Sequence, residues 1–274
     1  MGEKQKKEQS KLGVFVVHYS PLIDRKKRLT GDLDFYPLES HWITEKDVSL
    51  SSVIFNFNPK PFNLNSRLVA MDRSNNSRSL VKSRLIARIE GYWLFLASML
   101  PYLGKKYLEL DSTIKRESES ILELSLMHEL CLKIGVKKNY DWLLILEDDA
   151  ILNHSIMTKV LNNLENLQTK FPAWYNLSSG ANLGRTITDP RPDDLGFYRV
   201  RPWATRCSAG YLINRKFANK CLGLFEKFGI PGWTAIDITY QIAMRHIKAK
   251  VYWQDPPGIA QGSETGIYKS NFVH

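Results

Sequence analysis

The run Trp142-Leu143-Leu144-Ile145-Leu146 ends directly in Glu147-Asp148-Asp149. Five apolar residues in a row predict the clearest strand of the chain. Three carboxylates crowded at a strand end repel one another, and desolvation raises that cost. A divalent cation removes the conflict, because carboxylates are hard oxygen ligands suited to Mg²⁺ or Mn²⁺. In open α/β sheets, ligands bind beyond the carboxyl ends of the strands, where this cluster falls. The competing reading is structural: partly exposed acids, with Asp148 or Asp149 capping the next helix. Along an extended chain Glu147 and Asp149 can share a side, whereas Asp148 cannot. Asp149 is therefore the expected direct metal ligand, with Glu147 assisting.

The rest of the chain reads as alternating strands and helices. Gly13 to Val17 is uniformly apolar and predicts a central strand, broken at His18-Tyr19-Ser20-Pro21. Ser20 is suited to cap a following helix and Pro21 to fit its first turn. Residues 31–52 are polar and irregular. Val53 to Phe57 is a second strand candidate, and Leu85, Ile89, Tyr92 and Leu96 give residues 80–100 a helical period. Ile121 to Ile134 predicts a helix packed on a sheet, and Ser155 to Phe171 an amphipathic one. Further strands are expected at Ala173 to Leu177, Gly196 to Val200, Gly210 to Ile213 and Val251 to Trp253, the last at a sheet edge. Lys216 to Phe228 and Ile236 to Ile247 read as helices. Ser178 to Asp194, rich in Gly, Pro, Asp and Arg, predicts a long loop of the functional kind. No repeat or composition break divides the chain. The expectation is a polar, disordered tail over 1–11 and one α/β domain over 12–274, with a mostly parallel central sheet flanked by helices.

Charge narrows the partners. The net charge is +10, which favours an anionic partner: nucleic acid, an acidic membrane surface or a phosphorylated small molecule. The basic residues are spread along the chain without the interleaved aromatic stripe of a nucleic-acid binder, so nucleic acid is not expected. Peripheral contact with a membrane surface stays open. The cysteines, Cys131, Cys207 and Cys221, are odd in number and have no metal-ligand spacing. With no apolar secretory segment or membrane-length run in the sequence, they point to a reducing compartment and a cytoplasmic protein.

At Leu144-Ile145-Leu146-Glu147-Asp148-Asp149-Ala150 the chain resembles the LEDDA signature of glycosyltransferase family 25, which includes lipooligosaccharide and collagen galactosyltransferases. Leu124-Ser125-Leu126-Met127-His128 resembles that family's LSH helix, with Met127 in place of Ser. Val16-Val17-His18-Tyr19 through Arg25 and Arg28 resembles its first strand and the basic residues after it, with His18-Tyr19 in place of Asn-Leu. Ala209 to Asn214 resembles its AYLIS strand, Ile236-Asp237 its late VD pair, and Pro256-Pro257 to Ser263 its closing segment. Residues 31–120 match poorly. The resemblance implies a GT-A-like, Rossmann-related fold, a UDP-sugar donor with galactose as the family default, Mn²⁺, and inversion at the anomeric carbon. The acceptor would be a glycan or glycoconjugate.

On that reading Asp149 holds the metal with Glu147. Glu147 or Asp148 acts through water or through the donor's ribose. The loop His18-Tyr19-Ser20 follows the first strand, where a nucleotide can stack on Tyr19, and Arg25 or Arg28 can reach a phosphate. The alternative for each arginine is a solvated helix face. An acceptor hydroxyl needs a base, and Asp237 is the candidate. Thr234-Ala235-Ile236-Asp237 equally has capping-box spacing, so Asp237 fits a helix start as well. Asp193 and Asp194 are reserve bases. Ser178 to Asn182, Trp203 and Trp233 could line the acceptor side or merely turn and pack the chain. His128, in an apolar helix, reads as a core histidine. The rival functions are a metal-dependent nucleotidyltransferase or phosphoesterase, a nucleic-acid-binding module, and a transferase that binds donor without turnover.

Overall fold

Among the described residues, seven strands form one sheet, and their alternate side chains feed two separate cores. In the computed structural model, which describes residues 10–49, 112–167, 169–178, 191–202, 209–228 and 236–268, the elements are these. Strand β1 (Leu12–His18) leads to helix α1 (Ile23–Leu33) and strand β2 (Ser40–Thr44). Helix α2 (Ser112–Lys137) precedes β3 (Trp142–Glu147) and β4 (Ala150–Leu152). Then come α3 (His154–Leu161), β5 (Ala173–Asn176), β6 (Phe197–Val200), β7 (Gly210–Asn214), α4 (Arg215–Phe228), α5 (Ile236–His246), β8 (Lys250–Gln254) and β9 (Ile259–Gln261).

The sheet order is β2-β1-β3-β7-β5-β8-β6, and β4 and β9 make a separate two-stranded ladder. Phe15, Val17, Leu143, Ile145, Tyr211 and Ile213 face a core shared with α2, α4 and α5. Val14, Val16, Trp142, Leu144, Leu146 and Leu212 face the opposite core, closed by α1 and α3. The period-two alternation of a strand produces this split. It also explains why these strands read as unbroken apolar runs: both faces are covered.

The same fact corrects the expected strand directions. The sheet is mixed. β1 runs parallel to β2 and β3, and β5 parallel to β8. β7 runs antiparallel to both β3 and β5, and β6 antiparallel to β8. An apolar run reports burial on two faces, and β7 is buried at all five positions while opposing both neighbours. Sequence periodicity carries no information on direction in that case.

Other expectations are adjusted in place. Val251–Trp253 lies in β8, which is flanked on both sides; among the described residues the edges are β2 and β6. β2 was hidden in the polar stretch after residue 31 because only Ile43 of its five residues is buried. Ser20 does not cap α1. The helix opens after Leu22 without a side-chain cap, and Ser20 instead donates its amide, at 2.9 Å, and its hydroxyl to the Glu45 carboxylate. The amphipathic stretch from residue 155 is α3 followed by a 3-10 turn, Leu164–Asn166. Asn163 interrupts the helix by turning its side chain back to the Lys159 carbonyl at 2.7 Å. The strand and helix expected at 53–57 and 80–100, along with Ser179 to Asn182, Trp203, Cys207, Trp233 and Thr234, lie outside the described residues.

Among the described residues, no helix is long and apolar enough to cross a membrane.

Candidate functional site

β3 is the pivot of the site, because its carboxyl end carries the acidic trio and its neighbours end around it. β1 and β2 run parallel to β3 on one side, so His18 and Thr44 finish at the same end of the sheet as Glu147. β7 runs the other way, so its first residue, Gly210, pairs with Leu146. The last β-pairing of the chain, β9 on β4, brings Gly262 and Ser263 back to the trio. Strand Glu147 is followed at once by a turn at Asp148 and Asp149, and the three carboxylates leave in three directions.

Asp148 turns inward, towards β1 and α1. His18 Nδ1 lies 3.0 Å from its Oδ2, the Tyr19 amide donates to the same oxygen at 3.0 Å, and Arg25 donates to Oδ1 at 3.0 Å. An ionised carboxylate only accepts, so His18 carries its proton on Nδ1. Burial pushes the Asp148 carboxyl up. The hydrogen bonds from His18, Arg25 and Tyr19, with the Arg25 charge, outweigh it and hold the group below its ordinary value. Asp148 thus acts as the knot that ties the β1 loop to β3. His18 and Arg25, expected on a nucleotide or phosphate, are joined to it. Arg25 does not lie on a solvated face: it is 8% exposed, and its guanidinium also sits 4.8 Å over the Tyr268 ring. Arg28 is more open. It pairs with Asp32 at 3.3 Å and donates to the Tyr268 hydroxyl at 3.4 Å. The Tyr19 ring is 44% exposed beside this knot.

Asp149 turns towards the returning segment. The Ser263 hydroxyl and amide donate to its Oδ2 at 2.7 and 3.3 Å, and the Gly262 amide donates to its backbone carbonyl at 2.8 Å. Its other carboxylate oxygen, Oδ1, is buried and accepts no hydrogen bond among the described residues. Burial, then the Glu147 charge, then that of Asp148, raise the carboxyl above its ordinary value despite the Ser263 hydrogen bonds. Glu147 points to α2, with Oε1 3.7 Å from His128 Nε2. His128 is fully buried. Its Nδ1 meets the Tyr211 hydroxyl at 2.6 Å, and Tyr211 donates onward to Tyr240 at 3.2 Å.

This arrangement bears on whether a divalent cation fits. Among the described residues, no three His, Cys, Asp or Glu side chains are grouped to hold a metal by themselves. The unpartnered Asp149 oxygen, beside the Glu147 charge, is the kind of acceptor a cation satisfies. Mg²⁺ characteristically takes one or two protein carboxylates and completes its sphere with substrate phosphates and water. Among the described residues, the carboxylates fit a cation that completes its sphere with groups from outside the protein, not a protein-only cage. Asp149 and Glu147 would hold it, and Asp148, with both oxygens engaged, would not.

Asp237 stands in the first turn of α5, half-buried, and is not without a partner. The short turn from α5 into β8 sets the helix start towards the carboxyl end of β8, which is the trio's end of the sheet. Asp193 accepts the Leu195 and Phe197 amides at 2.9 and 2.8 Å and so shapes a turn. Ser178 is fully buried. It exchanges hydrogen bonds with Gly210 at 2.9 and 3.0 Å and carries no exposed donor for an acceptor sugar. Ser263, Gly262 and Tyr268 are the site residues that sequence reasoning gave no role. They stand more than a hundred residues after their partners, and although Gly262 and Ser263 end the segment Pro256 to Ser263 that resembles the family, no local pattern gives any of the three a role.

A depression of about 520 Å³, bordered by Lys11, Asp141, Thr169, Asn214 and Arg215, opens at the opposite end of the sheet. Arg215 donates to Asp141 there at 2.8 Å. The unpartnered carboxylate oxygen and the converging strand ends are at the trio, not at this depression. The chain matches no protein-family model, and no significantly similar protein was found among curated sequences.

Proposed function

We propose that this protein is a metal-assisted glycosyltransferase that takes a hexose from a UDP-sugar, with galactose as the default, and passes it with inversion to a hydroxyl of a glycan or glycoconjugate. The observation that carries the reading is the Asp149 carboxylate. It stands at the carboxyl end of β3, holds a buried unpartnered oxygen, and is pushed up by burial and by Glu147. The resemblance at Leu144 to Ala150 supplies the reaction class, in a GT-A-like form of the α/β fold.

A divalent cation, Mn²⁺ or Mg²⁺, when bound at Asp149 and Glu147, neutralises the charge of the leaving diphosphate. The chain's own residues do the rest. Asp148 holds the β1 loop through His18, Arg25 and the Tyr19 amide, which fixes where the Tyr19 ring stands. That exposed ring offers a stacking surface for the nucleotide, and orientation of the donor lowers the barrier. Arg28, at the rim, offers its charge to the phosphates. Asp237, at the same end of the sheet, is the candidate carboxylate for taking the acceptor's proton.

Calorimetry of UDP and UDP-galactose, with and without Mn²⁺, on the native chain and on Asp149→Ala tests the reading. Binding that requires Mn²⁺ and vanishes in Asp149→Ala supports it. Absence of any metal-dependent binding of a UDP compound removes it and directs attention to phosphodiester hydrolysis.

A further inference from the structure

We infer that Ser263 is the positioning residue of the cation site, the group that orients Asp149 so that one carboxylate oxygen is kept for the metal; this rests on the metal-assisted reading above. Ser263 engages a single oxygen, Oδ2, with two donors from one residue: its hydroxyl at 2.7 Å and its amide at 3.3 Å. Two donors converging on one oxygen restrict rotation of the carboxylate, and the other oxygen, Oδ1, remains buried without a partner. The asymmetry within one carboxylate is the point. A group that served only as a structural cap would be expected to spend both oxygens, as Asp148 does a residue earlier.

The frame holding Ser263 is itself tied down. β9 pairs with β4 directly after the trio, with Ala150 opposite Gln261. The Gly262 amide donates to the Asp149 carbonyl at 2.8 Å, and the Tyr268 amide donates to the Gly262 carbonyl at 3.0 Å. Such close approach requires glycine at 262, where a Cβ would stand 2.9 Å from the Asp149 carbonyl oxygen and 2.4 Å from the Tyr268 ring. Tyr268 in turn lies under the Arg25 and Arg28 guanidinium groups, at 4.8 and 5.9 Å. The segment Gly262 to Tyr268 therefore joins Asp149 to Arg28 and to Arg25, the arginine that donates to Asp148. Hydrogen bonds of this kind to a ligating carboxylate set its orientation, and their loss characteristically costs metal affinity about 10–100-fold.

The test is Mn²⁺ binding to the full chain, read by the electron paramagnetic resonance of free Mn²⁺, with Mn²⁺ alone and with UDP present. The variants are Ser263→Ala, Ser263→Thr and Ser263→Cys, each checked for folding by circular dichroism. Ser263→Ala is expected to weaken Mn²⁺ binding about 10–100-fold, and Ser263→Thr, which keeps the hydroxyl, to restore it to within a few-fold. Ser263→Cys keeps the side-chain size but donates weakly; it is expected to bind as poorly as the alanine variant, which covers the case of an alanine variant that does not fold. Folded alanine or cysteine variants that bind Mn²⁺ like the native chain overturn the role of Ser263. A folded threonine variant as weak as alanine overturns it too. A native chain that binds Mn²⁺ neither alone nor with UDP removes the metal-assisted reading itself, an outcome distinct from the others.

Discussion

Arg25 donates to Asp148 at 3.0 Å across the gap between α1 and the end of β3, with the arginine side chain 10% and the aspartate side chain 9% exposed. The middle member of the acidic trio is thus an internal anchor, while Glu147 faces His128 and Asp149 keeps one buried oxygen without a hydrogen bond among the described residues. The pair joins residues 123 apart in sequence, and with the His18 and Tyr19 contacts it ties the β1 loop and α1 to the end of β3.

Asp148→Ala should destabilise the protein by about 3–5 kcal/mol, because it leaves the Arg25 charge buried without this partner. Chemical denaturation should show the loss as a lower midpoint with an unchanged slope. The native carboxyl is held below its ordinary value, so its contribution is complete above the unfolded pKa of about 3.9. It is lost as pH falls through the lower, folded value. In Asp148→Ala the acid limb of the stability curve should flatten below about pH 4.

Asp149→Asn should separate stability from binding. The substitution removes a buried charge that Glu147 opposes while keeping an oxygen for Ser263 to donate to. Without metal, the variant should be more stable by about 0.5–2 kcal/mol, seen as a rise in Tm of a few degrees. Mn²⁺-dependent UDP binding should disappear in calorimetry. A variant that melts lower than the native chain and still binds would refute both halves.

Metal affinity should fall with acidity sooner than an ordinary carboxylate would allow. The Asp149 carboxyl is raised by burial and by Glu147, and a cation displaces its proton. As pH drops, Mn²⁺ binding should begin to weaken at a value above the usual 3.9 or so for aspartate. A Mn²⁺ titration series between pH 7 and 4 checks the direction, and an affinity flat across that range would contradict it.

Tyr211→Phe should cost about 1–3 kcal/mol, since it strips His128 Nδ1 and the Tyr240 hydroxyl of a buried partner. Adding Tyr240→Phe should be less than additive, because the two hydroxyls share one hydrogen bond. A double-mutant cycle by urea denaturation measures the coupling. Fully additive losses would show that the two hydroxyls act independently.

Gly262→Ala should loosen the segment after β9 without unfolding the sheet. Its Cβ would stand 2.9 Å from the Asp149 carbonyl oxygen, a backbone atom that cannot step aside cheaply. Overpacking of this kind costs about 1–3 kcal/mol. Hydrogen exchange should quicken at the Gly262 and Ser263 amides while the amides of β3 keep their protection. Unchanged exchange at residue 262 would show that the segment yields without breaking its contacts.

Much of the molecule was legible along the chain. The apolar runs in β1, β3 and β7, the amphipathic periods of α4 and α5, and the acidic trio at a strand end follow from side-chain chemistry read over short windows. That chemistry determined that the protein is α/β, that β1 is a central strand, and that Glu147, Asp148 and Asp149 form the chain's most concentrated chemical feature.

The tertiary structure decided what no window contains. It set the strand directions that make the sheet mixed, which the sequence does not show because β7 is buried as fully as a parallel strand would be. It found β2, whose edge position leaves it half polar. It turned three adjacent carboxylates towards three different elements: Glu147 to His128, Asp148 to His18 and Arg25, Asp149 to Ser263. Residue type and spacing put a carboxylate at a strand end. Which of its oxygens are satisfied depends on donors that arrive from more than a hundred residues away, and only the folded chain brings those donors within hydrogen-bonding distance.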